Sequence, residues 1–186
     1  MTTPSMEWGR HDWTGTAADF HAMDLPAERA MWWCHVVTPT VILGSTQSVD
    51  DVNQNIADES GVLVSRRRSG GGAVFVHPSD SVWIDITISR NDPLWKDDVA
   101  QSMLWLGELF VEALSPWVQA EVYRDSFSTG IDGRVVCFAS SSPGEVLWDQ
   151  TNWWASVKDV VERVPDSSVC CIDTGDQVNG RQSSLP

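Results

Sequence analysis

The spacing of apolar and polar positions predicts several strands. Six short runs are rich in β-branched and aromatic residues and are bounded by turn-forming residues. They cover residues 36–43, 62–65, 73–77, 81–88, 120–123 and 134–139. The run at 81–88 reads S-V-W-I-D-I-T-I, which alternates for most of its length. A glycine turn between two strands, followed by a hairpin turn, favours a β-sheet over a nucleotide-binding βαβ unit.

A second periodicity predicts helices. Residues 97–114 place apolar side chains three or four positions apart, which indicates an amphipathic helix that begins near Asp97 or Asp98. The apolar positions are Val99, Met103, Leu106, Phe110, Val111 and Leu114. We predict that this stripe packs in the core. Shorter helices are predicted over residues 24–33 and 49–60.

These elements predict an α+β fold, with a mixed or antiparallel β-sheet and packed helices. A length of 186 residues fits one domain, which we place at residues 24–150. Residues 1–23 lack sustained periodicity, and we expect a loosely ordered leader there. Residues 151–186 are rich in Ser, Asp and Gly with little periodicity, so we expect a disordered tail.

Charge and cysteine content narrow the classes of partner. Twelve Lys and Arg against 26 Asp and Glu give a formal charge of -14, which disfavours nucleic acid and anionic membranes as main partners. No apolar run approaches the ~18 residues that span a bilayer. The cysteines lack C-x-x-C spacing, so we expect no metal site, and reduced thiols fit the cytoplasm. They are Cys34, Cys137, Cys170 and Cys171.

The candidate chemistry lies in residues 66–72, R-R-R-S-G-G-G. Consecutive glycines expose backbone amide donors, and an adjacent arginine can pair with a carboxylate or phosphate. The combination indicates a site for an activated acid. Alternatives are a solvated charge run and a plain bulge or hairpin turn. The loop is neither a Walker A loop, because no Gly-Lys-Ser/Thr follows and a strand comes next, nor a Rossmann loop.

The wider segment Val64 to Phe75 resembles the motif R-R-x-S-G-G-G-A-V-x-H-D of the lipoate-protein ligase A family, which shares its catalytic fold with biotin protein ligase. Residues 41–47, V-I-L-G-S-T-Q, stand where that family has a G-x-x-Q turn. Residues 143–146, P-G-E-V, match a G-P-G-E-V segment of related actinobacterial-type sequences. The resemblance covers about Leu25 to Trp148 and implies a ligase-like catalytic domain that is incomplete at its C-terminus.

The resemblance implies that ATP and Mg²⁺ are used to join lipoate or a related acid to AMP. The acyl group then passes to a lysine of a lipoyl or biotinyl carrier domain. Arg67 would contact the acyl-adenylate, and Gln47 would lie beside the pocket. Backbone groups of the loop would line it, from Ser69, Gly70, Gly71, Gly72 and Ala73. The sequence does not distinguish lipoate, octanoate and biotin.

Two departures from the family motif bear on activity. His77 stands one position later than the family histidine, so strand alternation turns it to the opposite face, and we predict a surface position near the hairpin. The family's lysine, in a segment like G-R-K-V-x-G-x-S-Q-x-R after G-E-V, has no counterpart near Asn152. Gly133-Arg-Val-Val precedes the G-E-V block and has Val135 in place of lysine, while Lys158 has an unrelated context.

The genetic code offers an explanation for the missing lysine. Read one base out of register, the codons for residues 152–160 can encode L-V-G-I-S-Q-R-R, in which the first three residues are forced. One base restored at Asn152 places a lysine before that string. We therefore interpret the segment as a single-base frameshift near Thr151 or Asn152, with a natural divergent tail as the alternative.

Three functional hypotheses remain at this point. The first is a cofactor-attachment enzyme domain that binds its ligands but is impaired by the missing lysine. The second is a non-catalytic acyl-binding or nucleotide-binding module. The third is a non-functional truncated product whose sheet keeps an exposed edge.

Overall fold

The computed structural model describes residues 7–130, 132–148, 151–159 and 167–173. Its strands are β1 (Gly9–Gly15), β2 (Ala30–Val36), β3 (Thr40–Leu43), β4 (Leu63–Arg66), β5 (Val74–Val76), β6 (Trp83–Ser89), β7 (Glu121–Val122), β8 (Ser128–Thr129), β9 (Ser140–Ser141), β10 (Val146–Trp148), β11 (Thr151–Asp159) and β12 (Ser167–Asp173). The α-helices are α1 (Ala17–Ala22), α2 (Gln54–Glu59) and α3 (Val99–Leu114). Short 3₁₀ helices cover Val49–Asp51 and Cys137–Ala139.

The strands form a large sheet, a small sheet and a two-stranded ribbon. The large sheet has the order β1-β2-β6-β12-β11-β10-β7, and all its pairs are antiparallel except β1 with β2. The small sheet has the order β4-β3-β5, with β3 parallel to β4 and antiparallel to β5. The ribbon pairs β8 with β9. The predicted α+β class with mixed sheets is confirmed.

Alternation along β2 and β6 divides the core between two faces of the large sheet. On one face, Trp32 and Trp83 pack with buried residues of the small sheet and with Phe20 of α1. On the other face, Ile84, Ile86 and Ile88 pack against α3. Because successive side chains of a strand point to opposite faces, one strand serves both clusters. The small sheet is thereby fixed against the large sheet, and it carries the glycine loop.

Helix α3 confirms the prediction for residues 97–114. The Asp98 carboxylate accepts a hydrogen bond from the amide of Gln101 at 2.8 Å and so caps the first turn. Met103 and Leu106 are buried against the sheet, with Phe110 beside them. The helix also passes closely under the P-G-E-V segment, because a β-carbon on Gly144, where φ is +93°, would overlap Met103. That segment is therefore fixed by helix packing.

Three other predictions of local structure are wrong. Residues 30–36 form strand β2 and not the end of a helix, because backbone pairing with β1 and β6 on both sides outweighs the local helical signal. The run at 36–43 is broken by a turn before β3. Residues 134–139 form a turn and a 3₁₀ helix instead of a strand, with one isolated bridge from Val136 to Ala73.

The expectations for the two chain ends are also corrected where the structure describes them. The leader expected at residues 1–23 contains β1, which extends the large sheet beside β2, and α1, which Thr16 caps. The tail expected to be disordered contains β11 and β12, which lie between β10 and β6. Sheet pairing supplies hydrogen bonds that composition does not reveal. Residues 1–6, 160–166 and 174–186 lie outside the described residues.

Candidate functional site

The glycine loop connects β4 to β5 at one end of the small sheet. The amide of Arg67 donates to the carbonyl of Leu43, and the amide of Ser45 donates to the carbonyl of Ser69. These two bonds hold the loop against the turn that follows β3. At its other end, the amide of Ala73 donates to the carbonyl of Val135 at 2.7 Å. The loop therefore lies between two further segments that fix its path.

Arg67 lies beneath this loop and is only 4% exposed. Its Nε donates to the Ser69 hydroxyl at 3.0 Å, and its Nη1 donates to the Ile42 carbonyl at 3.1 Å. Its Nη2 donates to the carbonyls of Gly70 at 2.9 Å and Gly72 at 2.7 Å. A charged donor satisfies several buried carbonyls at once, which makes the loop conformation specific.

The amides of Gly70 and Gly71 remain available to a ligand. Within the described part of the chain neither N–H makes a hydrogen bond, and both residues are exposed. In a trans peptide the N–H points opposite to the preceding carbonyl, and those carbonyls face Ser45 and Arg67. Successive outward amides form a concave site for an anion.

Two positions of this site require glycine for different reasons. Gly71 has φ +96°, a left-handed conformation that other residues rarely adopt. Gly72 packs against the backbone of the 3₁₀ segment, where a β-carbon would stand 2.6 Å from the amide nitrogen of Cys137. The three-glycine run thus combines a backbone turn with a close approach.

Gln47 joins the turn after β3 to the segment that precedes the 3₁₀ helix at Cys137–Ala139. Its Oε1 accepts from the amide of Gly44 at 2.9 Å, and its Nε2 donates to the carbonyl of Val135 at 3.1 Å. Val135 also accepts from Ala73, so Gln47 and the loop share an acceptor. The predicted residues Arg67, Ser69, Gly70 to Gly72, Ala73 and Gln47 are thus brought together.

Helix α1 borders the same region through His21, which the sequence did not single out. Arg68 donates to the carbonyl of His21 at 3.2 Å, and the imidazole packs on Trp83 with ring centroids 5.2 Å apart. Burial lowers the pKa of His21 to about 4, with further lowering by the positive charges of Arg67 and Arg68. His21 is therefore neutral near pH 7. No local motif marks this residue, because Arg67, Arg68 and Trp83 lie more than forty positions away in the chain.

His77 occupies the hairpin position predicted for it. Its Nδ1 lies 3.2 Å from a carboxylate oxygen of Asp80 and 3.1 Å from the Ser79 hydroxyl. Val76, which stands where the family motif has histidine, is 2% exposed and belongs to the core. His77 lies instead on the side of Phe75, with ring centroids 6.2 Å apart.

The residues that the structure describes contain no group of three or more His, Cys, Asp or Glu side chains that could hold a metal ion. Cys34 and Cys137 are buried, and neither forms a disulfide bond within the described residues. Burial, and secondarily the charge of Asp85, raises the pKa of the Cys34 thiol, which makes it a poor nucleophile. No helix in the described ranges is both long and apolar enough to cross a bilayer.

Comparison with solved structures defines the class of fold. The structure resembles protein Ta0514 of T. acidophilum with bound lipoic acid, at a TM-score of 0.68 and 13% identity, over 94% of this chain and 70% of that one. It also resembles lipoate-protein ligase A bound with ATP, at a TM-score of 0.68 and 13% identity, over 94% of this chain and 68% of that one. The fold is that of lipoate-protein ligases.

Sequence comparison identifies the family. Residues 18–136 match the model of the lipoyl protein ligase A/B catalytic domain. Lipoate–protein ligase 1 of Staphylococcus aureus is 40% identical over 53 residues, which are 28% of this chain and 16% of that protein. The match therefore spans about one sixth of the curated relative. This chain belongs to the lipoyl protein ligase A/B catalytic domain family, as its glycine motif predicted.

Proposed function

We propose that this domain activates lipoate or a related acid as an acyl-adenylate at the expense of ATP, and transfers the acyl group to a lysine of a lipoyl or biotinyl carrier domain. The observation that carries the proposal is the pair of outward amides at Gly70 and Gly71, whose peptides are held by hydrogen bonds from Ser45 and Arg67. Backbone donors fixed in advance stabilise charge that develops on a phosphate or acyl oxygen. Family membership and relatives bound to lipoic acid and ATP support the same chemistry.

The proposed site comprises Ser69, Gly70, Gly71, Gly72 and Ala73, with Gln47 and Arg67 supporting it. The loop backbone binds the anionic group of the adenylate, and Gln47 holds the facing segment in place. Mg²⁺ enters with ATP as part of the substrate, because phosphates and water supply most ligands of this ion in nucleotide sites. We also assign the protein to the cytoplasm, where ATP and reduced thiols coexist.

We further propose that ligation by this chain is impaired because the lysine of the family segment is absent near Asn152. A lysine in such a site offers a mobile positive charge to the carboxylate and the α-phosphate. Its loss affects the chemical step more than binding to the loop. We favour a single-base frameshift near Thr151 or Asn152 as the reason why the lysine is absent. Sequencing the source DNA across codons 148–155 tests this origin directly.

Calorimetry with the sulfamoyl analogue of lipoyl-adenylate tests the proposed site without requiring turnover. We expect saturable binding by the chain as it stands, and competition by ATP together with lipoate. Parallel titrations with the octanoyl and biotinyl analogues rank the acids. Absence of binding to all three analogues by a folded sample would refute the proposal.

The second candidate is a non-catalytic acyl-binding or nucleotide-binding module. The observation that favours it is the intact glycine loop in a chain without the family lysine. Exchange of labelled pyrophosphate into ATP in the presence of lipoate separates the two candidates. A module binds the analogue but never catalyses exchange, even after the reading frame is repaired, whereas an impaired ligase gains exchange on repair.

A further inference from the structure

The contacts of Arg67 differ from those of an arginine that binds substrate. All three guanidinium nitrogens donate to acceptors of the protein itself, within the loop and in β3. The residue is 4% exposed, while Gly70 and Gly71 above it are exposed. An anion on the outer side of the loop thus meets backbone amides and not the guanidinium.

We propose that Arg67 is a positioning residue, which turns the carbonyl of Gly70 inward so that the amide of Gly71 points outward. Together with the amide of Gly70, whose peptide is held by Ser45, it forms a binding site for a phosphate-like anion. The inference deepens the function proposed above and rests on it. The family resemblance implies direct contact between Arg67 and the acyl-adenylate. The geometry assigns that contact to the loop backbone.

The orientation of each peptide unit supports this assignment. The Gly70 carbonyl points to Arg67, so the N–H of Gly71 points away from it. The Gly72 carbonyl also points to Arg67, and the N–H of the next residue, Ala73, indeed points elsewhere, to Val135. The guanidinium of Arg67 therefore fixes two peptide planes, Gly70–Gly71 and Gly72–Ala73. The first of them leads into Gly71, the residue with positive φ.

The chemistry of the two cationic side chains makes the proposal specific for arginine. A guanidinium presents five N–H donors in a rigid plane, which suits acceptors in four directions. A lysine at position 67 keeps the charge but offers three donors from a single nitrogen, so it cannot reproduce the four hydrogen bonds that Arg67 makes from three nitrogens. Arg66 provides the matched control. Its side chain is exposed and makes no hydrogen bond or ion pair within the described residues.

The first experiment compares Arg67→Lys with Arg66→Ala in calorimetric titrations with the sulfamoyl analogue of lipoyl-adenylate. We expect Arg67→Lys to weaken binding by about 10-fold or more although the charge is kept. We expect Arg66→Ala to weaken it by no more than about 3-fold and to reduce its salt dependence. A folded Arg67→Lys variant with wild-type affinity would overturn the inference, because charge alone would then suffice.

The second experiment uses the unmodified chain and does not depend on any variant folding. In ¹⁵N-resolved NMR spectra, addition of the analogue should shift the amide signals of Gly70 and Gly71 and leave the Arg67 Nε–H signal nearly unchanged. The reverse pattern, a large shift of Arg67 Nε–H with static glycine amides, refutes the positioning role and leaves the proposed function standing. Absence of binding by the unmodified chain refutes both.

Discussion

The backbone of Gly44 lies directly against the carbonyl oxygen of Gly71, so a methyl group on Gly44 would overlap that oxygen. We therefore expect Gly44→Ala to displace the glycine loop and to lower the free energy of unfolding by about 1–3 kcal/mol, as overpacked sites do. Urea unfolding measures the stability, and calorimetry with the adenylate analogue measures the site. We expect weaker binding by the variant even where it is fully folded.

The control for this prediction lies in the same loop. A β-carbon on Gly70 meets no atom within 4 Å, so Gly70→Ala adds the same methyl group in open space. We expect its stability to stay within about 0.5 kcal/mol of the unmodified chain. An equal loss of unfolding free energy in Gly44→Ala and Gly70→Ala would show that the close contact between Gly44 and Gly71 is not the cause of the destabilisation.

The ion pair between Arg29 and Asp92 is expected to contribute strongly to stability. Arg29 donates to Asp92 from Nε at 2.8 Å and from Nη2 at 2.6 Å, and both side chains are under 10% exposed. Removal of one partner leaves a buried charge, so we expect Asp92→Asn to cost about 3–5 kcal/mol. The exposed pair of Arg10 and Asp12, 3.5 Å apart, gives the control Asp12→Asn, with an expected change below about 0.5 kcal/mol.

The same pair predicts part of the acid response. The hydrogen bond from Arg29 holds the pKa of Asp92 below its ordinary value, which burial alone would raise. A carboxyl with a depressed pKa contributes stability above its unfolded value, near pH 4, and this contribution is lost as the pH falls through the folded pKa. Urea midpoints measured below pH 4 should therefore decline in the unmodified chain. In Asp92→Asn the part of this decline that comes from protonation of the Asp92 carboxylate should be absent.

His21 predicts a separate pH dependence at higher pH. Its pKa of about 4 in the fold lies below the unfolded value near 6.5, so between these values only the unfolded chain binds the proton. Stability should fall as the pH drops from 6.5 to 4, by up to about 1.4 kcal/mol per unit from this residue. His21→Gln should reduce that slope. An identical slope in the variant and the unmodified chain would contradict the assignment.

Sequence reasoning succeeded where the decisive signal is local. The helix at residues 97–114 follows from a repeated spacing and an aspartate at its start, both contained within one segment. The glycine loop follows from a short motif between two strands, and the observed β4 and β5 agree with those predictions within about one residue. The orientation of His77, which stands one position after the family histidine, follows from the alternation of side chains along a strand.

Sequence reasoning failed where partners are distant in the chain. Strand β2 forms because β1 and β6 pair with it on both sides, and no local pattern at residues 24–33 carries that information. The burial of Arg67 depends on the Ile42 carbonyl, 25 positions earlier. The place of His21 depends on Trp83 and Arg68. The motif therefore identified the residues of the site but not which of them face a ligand.

The final prediction concerns turnover and combines the intact loop with the missing lysine. The chain as it stands should transfer almost no labelled lipoate to a purified carrier domain in the presence of ATP and Mg²⁺. Insertion of one base at the Asn152 codon places lysine before L-V-G-I-S-Q-R-R, and we expect it to restore transfer. Neither Val135 nor Asn152 offers a mobile positive charge to the carboxylate and α-phosphate, whereas a lysine there does.

The control keeps the repaired frame and replaces only the restored lysine by alanine. That variant should bind the adenylate analogue through the glycine loop with nearly the affinity of the repaired chain, since the amides of Gly70 and Gly71 are untouched. Its transfer rate should return to the level of the unrepaired chain. If the unrepaired chain already transfers lipoate as fast as the repaired one, the frameshift interpretation and the role given to the lysine are both wrong. If the alanine variant remains active, the repaired downstream residues, and not the lysine, restore the reaction.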